Sequence, residues 1–122
     1  MSVRELVAVC CIVSSVLLGG CGRDDEGIGP HGELVGASCA TDRDCAHRCL
    51  RDNAHYPGGM CTVSCQRDAD CPAGTSCVKD SGGICAVSCR ASADCASFGR
   101  GYVCDERDRQ GADGEALVCR VE

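Results

Sequence analysis

"SCATDRDC" (residues 38–45), "SCQRDADC" (64–71) and "SCRASADC" (88–95) are three versions of one phrase, Ser-Cys-x-x-[Asp/Ser]-x-Asp-Cys. Each is followed by a stretch of variable length that holds a third cysteine. Each then closes on an apolar residue, Cys, any residue and Val: "MCTV" (60–63), "ICAV" (84–87) and "VCRV" (118–121). Such self-similarity marks one small structural unit used repeatedly, and it organises the rest of the reading. The boundaries fall at 38–63, 64–87 and 88–122. The cysteines sort into three sets of four: Cys39, Cys45, Cys49, Cys61; Cys65, Cys71, Cys77, Cys85; and Cys89, Cys95, Cys104, Cys119.

Composition explains why cysteine has this role. The apolar fraction of 44% counts all 15 cysteines and a greasy N-terminal run. Beyond residue 38 large apolar side chains are few and tryptophan is absent. A chain this poor in bulk does not offset its conformational entropy by burial alone, so it needs covalent staples. Cysteine above about 8–10% of a short chain marks a disulfide scaffold in an oxidising compartment. The expected fold is therefore small and disulfide-rich: three tandem four-cysteine modules with short β-hairpins, long loops and little regular structure. Two disulfides per module are expected. Four cysteines allow three pairings; the gap between the first two suits an intervening turn and favours first-to-third with second-to-fourth.

The segments "ICAVS" and "LVCRVE" read as short strands, and "PGGM" and "SGGI" as tight turns leading into strands. "LRDNAHYPGG" (50–59) and "DERDRQGADGEA" (105–116) read as polar loops, and "RASADCASF" has room for a helical turn.

The N-terminus has a different character. Arg4 precedes an apolar run from Leu6 to Leu18. That is shorter than the roughly 20 residues a membrane-spanning helix needs, and it fits a secretory signal core. The run ends on "LGGC", Leu18-Gly19-Gly20-Cys21, which resembles the lipobox of bacterial lipoproteins. The resemblance implies cleavage between Gly20 and Cys21, a diacylglycerol thioether on Cys21, and acylation of the new amino terminus. Residues 1–20 are then a signal peptide and 21–37 a lipidated, flexible tether rich in glycine and acid. Cys10 and Cys11 leave with the signal and Cys21 carries lipid, so an even twelve remain to pair. Gly22, not Asp, follows the lipidated cysteine, and the resemblance then implies an outer-membrane or cell-surface location.

The repeats resemble the Cys-rich modules of bacterial surface lipoproteins and, more loosely, the Dickkopf N-terminal Cys-rich region and whey-acidic-protein modules. The shared features are the Asp-x-Asp-Cys approaches at Asp42–Cys45 and Asp68–Cys71, and "PAGTSC" at 72–77. The whey-acidic pattern includes adjacent cysteines, and this chain has none after residue 11.

Cys45-x3-Cys49 encloses His47, and Cys61-x3-Cys65 and Cys85-x3-Cys89 have zinc-ligand spacing. Behind an export signal, however, the thiols oxidise first. His47 and His55 occur only in the first repeat and read as solvated loop residues, and His31 lies in the tether. The aspartates could be calcium ligands, but the third repeat has Ser92 in place of the first Asp. Asp44, Asp70 and Asp94 are instead expected to accept hydrogen bonds from nearby backbone amides. No Cys-x-x-Cys and no scaffold for a nucleophile triad is present, so no catalytic residue and no cofactor is assigned. The formal charge of −6 disfavours nucleic acid and anionic headgroups as partners.

The expected role is structural, adhesive or binding at the cell envelope, with a rod of small modules displayed toward a protein or glycan. The alternatives are a protease inhibitor presenting loop 50–60 or 105–116, and a zinc- or calcium-binding envelope protein.

Overall fold

Each repeat makes one antiparallel hairpin whose two strands each carry a cysteine. The computed structural model describes residues 27–122; the expected signal peptide over 1–20, with Gly20, and the expected lipidation site Cys21 lie outside the described residues. Strands β1 (Arg48–Leu50) and β2 (Met60–Thr62) form the first hairpin, β3 (Thr75–Val78) and β4 (Ile84–Val87) the second, and β5 (Tyr102–Asp108) and β6 (Glu115–Val121) the third. In register, Cys49 faces Cys61, Cys77 faces Cys85 and Cys104 faces Cys119.

These facing pairs are not the disulfides. Every strand cysteine reaches back to the Ser-Cys phrase instead: Cys39–Cys49 and Cys45–Cys61, Cys65–Cys77 and Cys71–Cys85, Cys89–Cys104 and Cys95–Cys119. The pairing is first-to-third and second-to-fourth in all three modules. Between its two cysteines the phrase makes a 3-10 turn, at Asp42–Asp44 and Asp68–Asp70, and in the third module the turn starts at Ser92 and runs on past Cys95 to Phe98. One turn is thus bolted across both strands of its hairpin. The loops closed span 10 to 24 residues, each bond contributing about 2–4 kcal/mol by restricting the unfolded chain.

The close approach has a sequence requirement. Gly59 and Gly83 sit two residues before the fourth cysteine of their modules, at φ +79° and +109°. A Cβ at either position would collide with the carbonyl oxygen of Cys39 or Cys65.

The expected rod of small modules is replaced by a cluster in which all three modules meet. Leu50, Tyr56 and Met60 of the first module pack with Val78, Ile84 and Ala86 of the second and Ala116 and Val118 of the third in a single buried cluster. Hydrogen bonds cross every boundary. Thr62 Oγ1 donates to the Cys85 carbonyl at 2.6 Å, Lys79 N donates to the Asp108 carbonyl, and Val121 N donates to the His55 carbonyl. The physical reason is the scarcity of apolar side chains. Two or three per module do not make a core, but pooled they do.

Two further readings change. From Gly27 the supposed tether is folded: Val35 is completely buried, and Ile28 and Leu34 pack beside it against Cys65, Cys77 and Cys85. Gly36 N donates to the Cys61 carbonyl and Cys61 N to the Ala37 carbonyl, so the segment lies along β2. Three apolar residues among glycines and acids are enough to seat it against the second module. Likewise, half of 105–116 is strand, and only 109–114 is the connecting turn.

A shared core predicts cooperative unfolding. With disulfides intact, denaturant should give one transition, coincident by circular dichroism and tyrosine fluorescence. Ile84→Ala should lower stability by about 2–5 kcal/mol and move the whole transition. A separate early phase for one module would contradict the shared core.

Candidate functional site at the junction of the three modules

The aspartates of the repeated phrase are spent on the backbone. Asp44 Oδ2 accepts the amides of Ala40 (2.8 Å) and Thr41 (3.1 Å), and Asp94 Oδ2 those of Arg90 (2.9 Å) and Ala91 (3.1 Å). Asp70 Oδ2 accepts the amide of Gln66 at 2.9 Å. These bonds favour the ionised form, so the Asp44 and Asp94 carboxyls lie below their ordinary value of 3.8.

A second acceptor position emerges only in three dimensions. Asp42 Oδ1 takes the amide of Cys49 (2.9 Å), Asp68 Oδ1 that of Cys77 (2.8 Å), and Ser92 Oγ that of Cys104 (3.1 Å). The fifth residue of the phrase therefore caps the third cysteine in every module. This accounts for the Asp-to-Ser exchange, since both side chains offer an oxygen at the same reach. The exchange itself was the signal that sequence reading passed over.

The twelve described cysteine sulfurs are all in disulfides. Three sulfurs of each module lie within 4.8 Å of one another, but as disulfides they offer no thiolate to a metal. His47 and His31 are exposed. His55 is exposed too, with Nδ1 2.9 Å from the Val121 carbonyl.

Where the modules meet, charge replaces apolar bulk. Asp80, in the turn after β3, receives Nε (3.0 Å) and Nη2 (2.8 Å) of Arg107 from β5. It also accepts the Tyr56 hydroxyl from the first module at 3.2 Å. Arg120 of β6 is almost fully buried, bonds Asp105 at 2.9 Å, and places its guanidinium 6.0 Å from the centre of the Tyr56 ring. Its Nε stands 3.6 Å from Asp80 and has no hydrogen-bond partner. Burial, and then the charge of Asp80, push the Tyr56 hydroxyl well above its ordinary value, so it keeps its proton and serves as donor. The hydrogen bond to Asp80 raises Arg107 further. One carboxylate thereby ties all three modules together.

An open groove of about 490 Å³ runs beside this cluster, bordered by His55, Tyr56, Ser81, Arg107 and Arg120. Ser81 is the one non-glycine with positive φ (+49°) among the described residues, a conformation costing about 1–3 kcal/mol that the surrounding structure must hold. The arrangement suits recognition and rigidity: its acids and bases neutralise each other, and its hydroxyl is held protonated. Asp80, Arg107, Arg120 and Tyr56 escaped sequence reading because they lie outside the repeated phrase, and no spacing links them. No family model matches the chain, and searches of curated proteins and of solved structures likewise found no match.

Three outcomes follow from this geometry. Asp80→Ala leaves the Tyr56 hydroxyl and the Arg107 fork without their acceptor and Arg120 with Asp105 alone, and should cost about 1–3 kcal/mol in denaturant unfolding. Ser92→Ala should cost about 1 kcal/mol while Ser92→Asp stays within about 0.5 kcal/mol of wild type, because Asp restores the acceptor. Asp44 and Asp94 have folded values below their unfolded ones. Their contribution is therefore complete above about pH 4 and is lost as pH falls through the lowered folded values, which acid titration of the unfolding midpoint will show.

Proposed function

We propose that the chain is an extracytoplasmic binding or scaffold protein, anchored through a lipid on Cys21 and displayed at the bacterial outer membrane or cell surface. One observation carries the reading. Six disulfides lock the three repeats individually, a common core joins them into one body, and that body includes Gly27, six residues from the cysteine of the lipobox-like "LGGC". Six residues reach at most about 20 Å, so the body would ride close to the bilayer. Six disulfides fit an extracytoplasmic location. An exported chain of this kind keeps its binding surface preorganised without a large core, which lowers the entropy lost on engaging a partner.

The inhibitor alternative keeps some support, since most of the 51–59 loop is exposed. Tyr56 at its centre, however, is buried at the junction, and Asn53 and Asp52 accept amides of His55, Tyr56 and Gly58, which ties the loop to its own body.

The test is intact mass of the membrane-extracted protein, alkylated before any reduction. The expected mass is that of residues 21–122 plus acyl chains, with no alkyl groups added. Retention of residues 1–20, or alkylated thiols, overturns the proposal.

A further inference from the structure

The first module carries a cationic groove. It measures about 660 Å³ and is lined by Thr41, Asp42, Arg43, Arg48, Cys49 and Arg51. Three guanidinium groups share it. Among the described residues the ion pairs are made by Arg107, Arg109 and Arg120, so none of the three groove arginines pairs with a described carboxylate. Asp42 is the single acid in the lining, and one of its oxygens is committed to the Cys49 amide. Arg48 Nη1 donates to Ser64 Oγ of the second module at 2.9 Å, a neutral partner that fixes the side chain at the edge of the groove without cancelling its charge.

The repeats supply an internal control. Two residues before the second cysteine, Arg43 corresponds to Ala69 and Ala93. One residue before the third cysteine, Arg48 corresponds to Ser76 and Val103. Two residues after it, Arg51 corresponds to Lys79 and Glu106. The same stapled hairpin forms in all three modules, so the frame does not require arginine at these positions. Three like charges converging on one groove repel each other, and this occurs in a chain of net charge −6.

We propose that this groove binds an acidic glycan, through carboxylate, phosphate or sulfate groups held by Arg43, Arg48 and Arg51. Guanidinium forks match such oxyanions in charge and geometry. The lining offers no aromatic side chain on which a nucleic-acid base could stack. It also offers no large apolar side chain of the sort that anchors a protein interface. What it offers is charge and hydroxyl, the complement of an acidic sugar chain. The inference deepens the binding role proposed above by naming the ligand class, and it does not depend on the lipid anchor.

The test uses full-length protein extracted in non-ionic detergent, with heparin as sulfated probe, polygalacturonate as carboxylate probe, dextran as neutral probe, and phosphatidylglycerol vesicles as lipid probe. Wild type should bind heparin or polygalacturonate, ignore dextran, and release as salt rises. The variant R43A/R48S/R51Q, and the milder R43A/R48S that copies residues found in the sister modules, should lose affinity, the triple by about ten-fold or more. R67Q/R90Q/R100Q removes equal charge elsewhere and should stay within about two-fold. The proposal is overturned by no binding to either acidic glycan, by equal loss in the control, or by binding confined to vesicles. Intact mass of each variant establishes that its six disulfides formed. If the mass measurement above succeeds while glycan binding fails, the anchored scaffold stands and the glycan assignment falls.

Discussion

Everything in this molecule hangs on a crossed staple. In each module a short turn carries two cysteines, and these fasten to opposite strands of the following hairpin. A disulfide joining the two strands directly would merely close a ladder already held by hydrogen bonds. Fastening each strand to a third element fixes the turn in space as well. That is why a 3-10 turn with no buried residues in the first two modules can position a carboxylate within reach of a cysteine amide. The polar caps and the covalent bonds are mutually dependent. The acid holds the turn in the shape that lets its cysteines meet the hairpin.

The second constraint is that the chain has too little apolar bulk for three cores. It answers by folding three frames around one cluster, then sealing their meeting point with Asp80, Arg107, Arg120 and Tyr56. A buried ion cluster is weak as a source of stability, since desolvation offsets much of its attraction. Its value lies in directionality. Apolar contacts among Val78, Ile84 and Val118 tolerate sliding, whereas a carboxylate receiving two N–H groups and a hydroxyl does not. The charged junction fixes how the frames sit, and the apolar cluster beneath it makes that arrangement favourable.

The extent to which this was legible in the sequence follows from what repeats. The phrase around Cys39, Cys65 and Cys89, the even set of twelve cysteines and the strand-like closes recur three times, and recurrence separates signal from accident. The backbone role of Asp44, Asp70 and Asp94 was readable for the same reason. Features that occur once were opaque. Val35 reads as a lone apolar residue in an acidic, glycine-rich stretch until Cys65 and Cys85 are placed beside it. Arg107 and Asp108 read as loop because a strand whose side chains serve ion pairs lacks the apolar alternation that announces a strand. The joining of three modules was hidden because long-range pairings such as Tyr56 with Asp80 leave no periodic mark.

The order of the staples has a consequence for how such a chain matures during export. Every disulfide closes within its own module, so each frame can oxidise as soon as its own segment has crossed the membrane, without waiting for later sequence. The junction differs, because Arg107, Arg120 and the Val121 clasp on His55 all belong to the third module. An exporting chain would thus hold two oxidised but unseated frames, with Tyr56 and Ile84 still uncovered, until β6 arrives. Covalent assembly proceeds from front to back, while burial is completed at once by the final strand. The interval between them is when the nascent protein is most exposed to chaperones and proteases outside the cytoplasm.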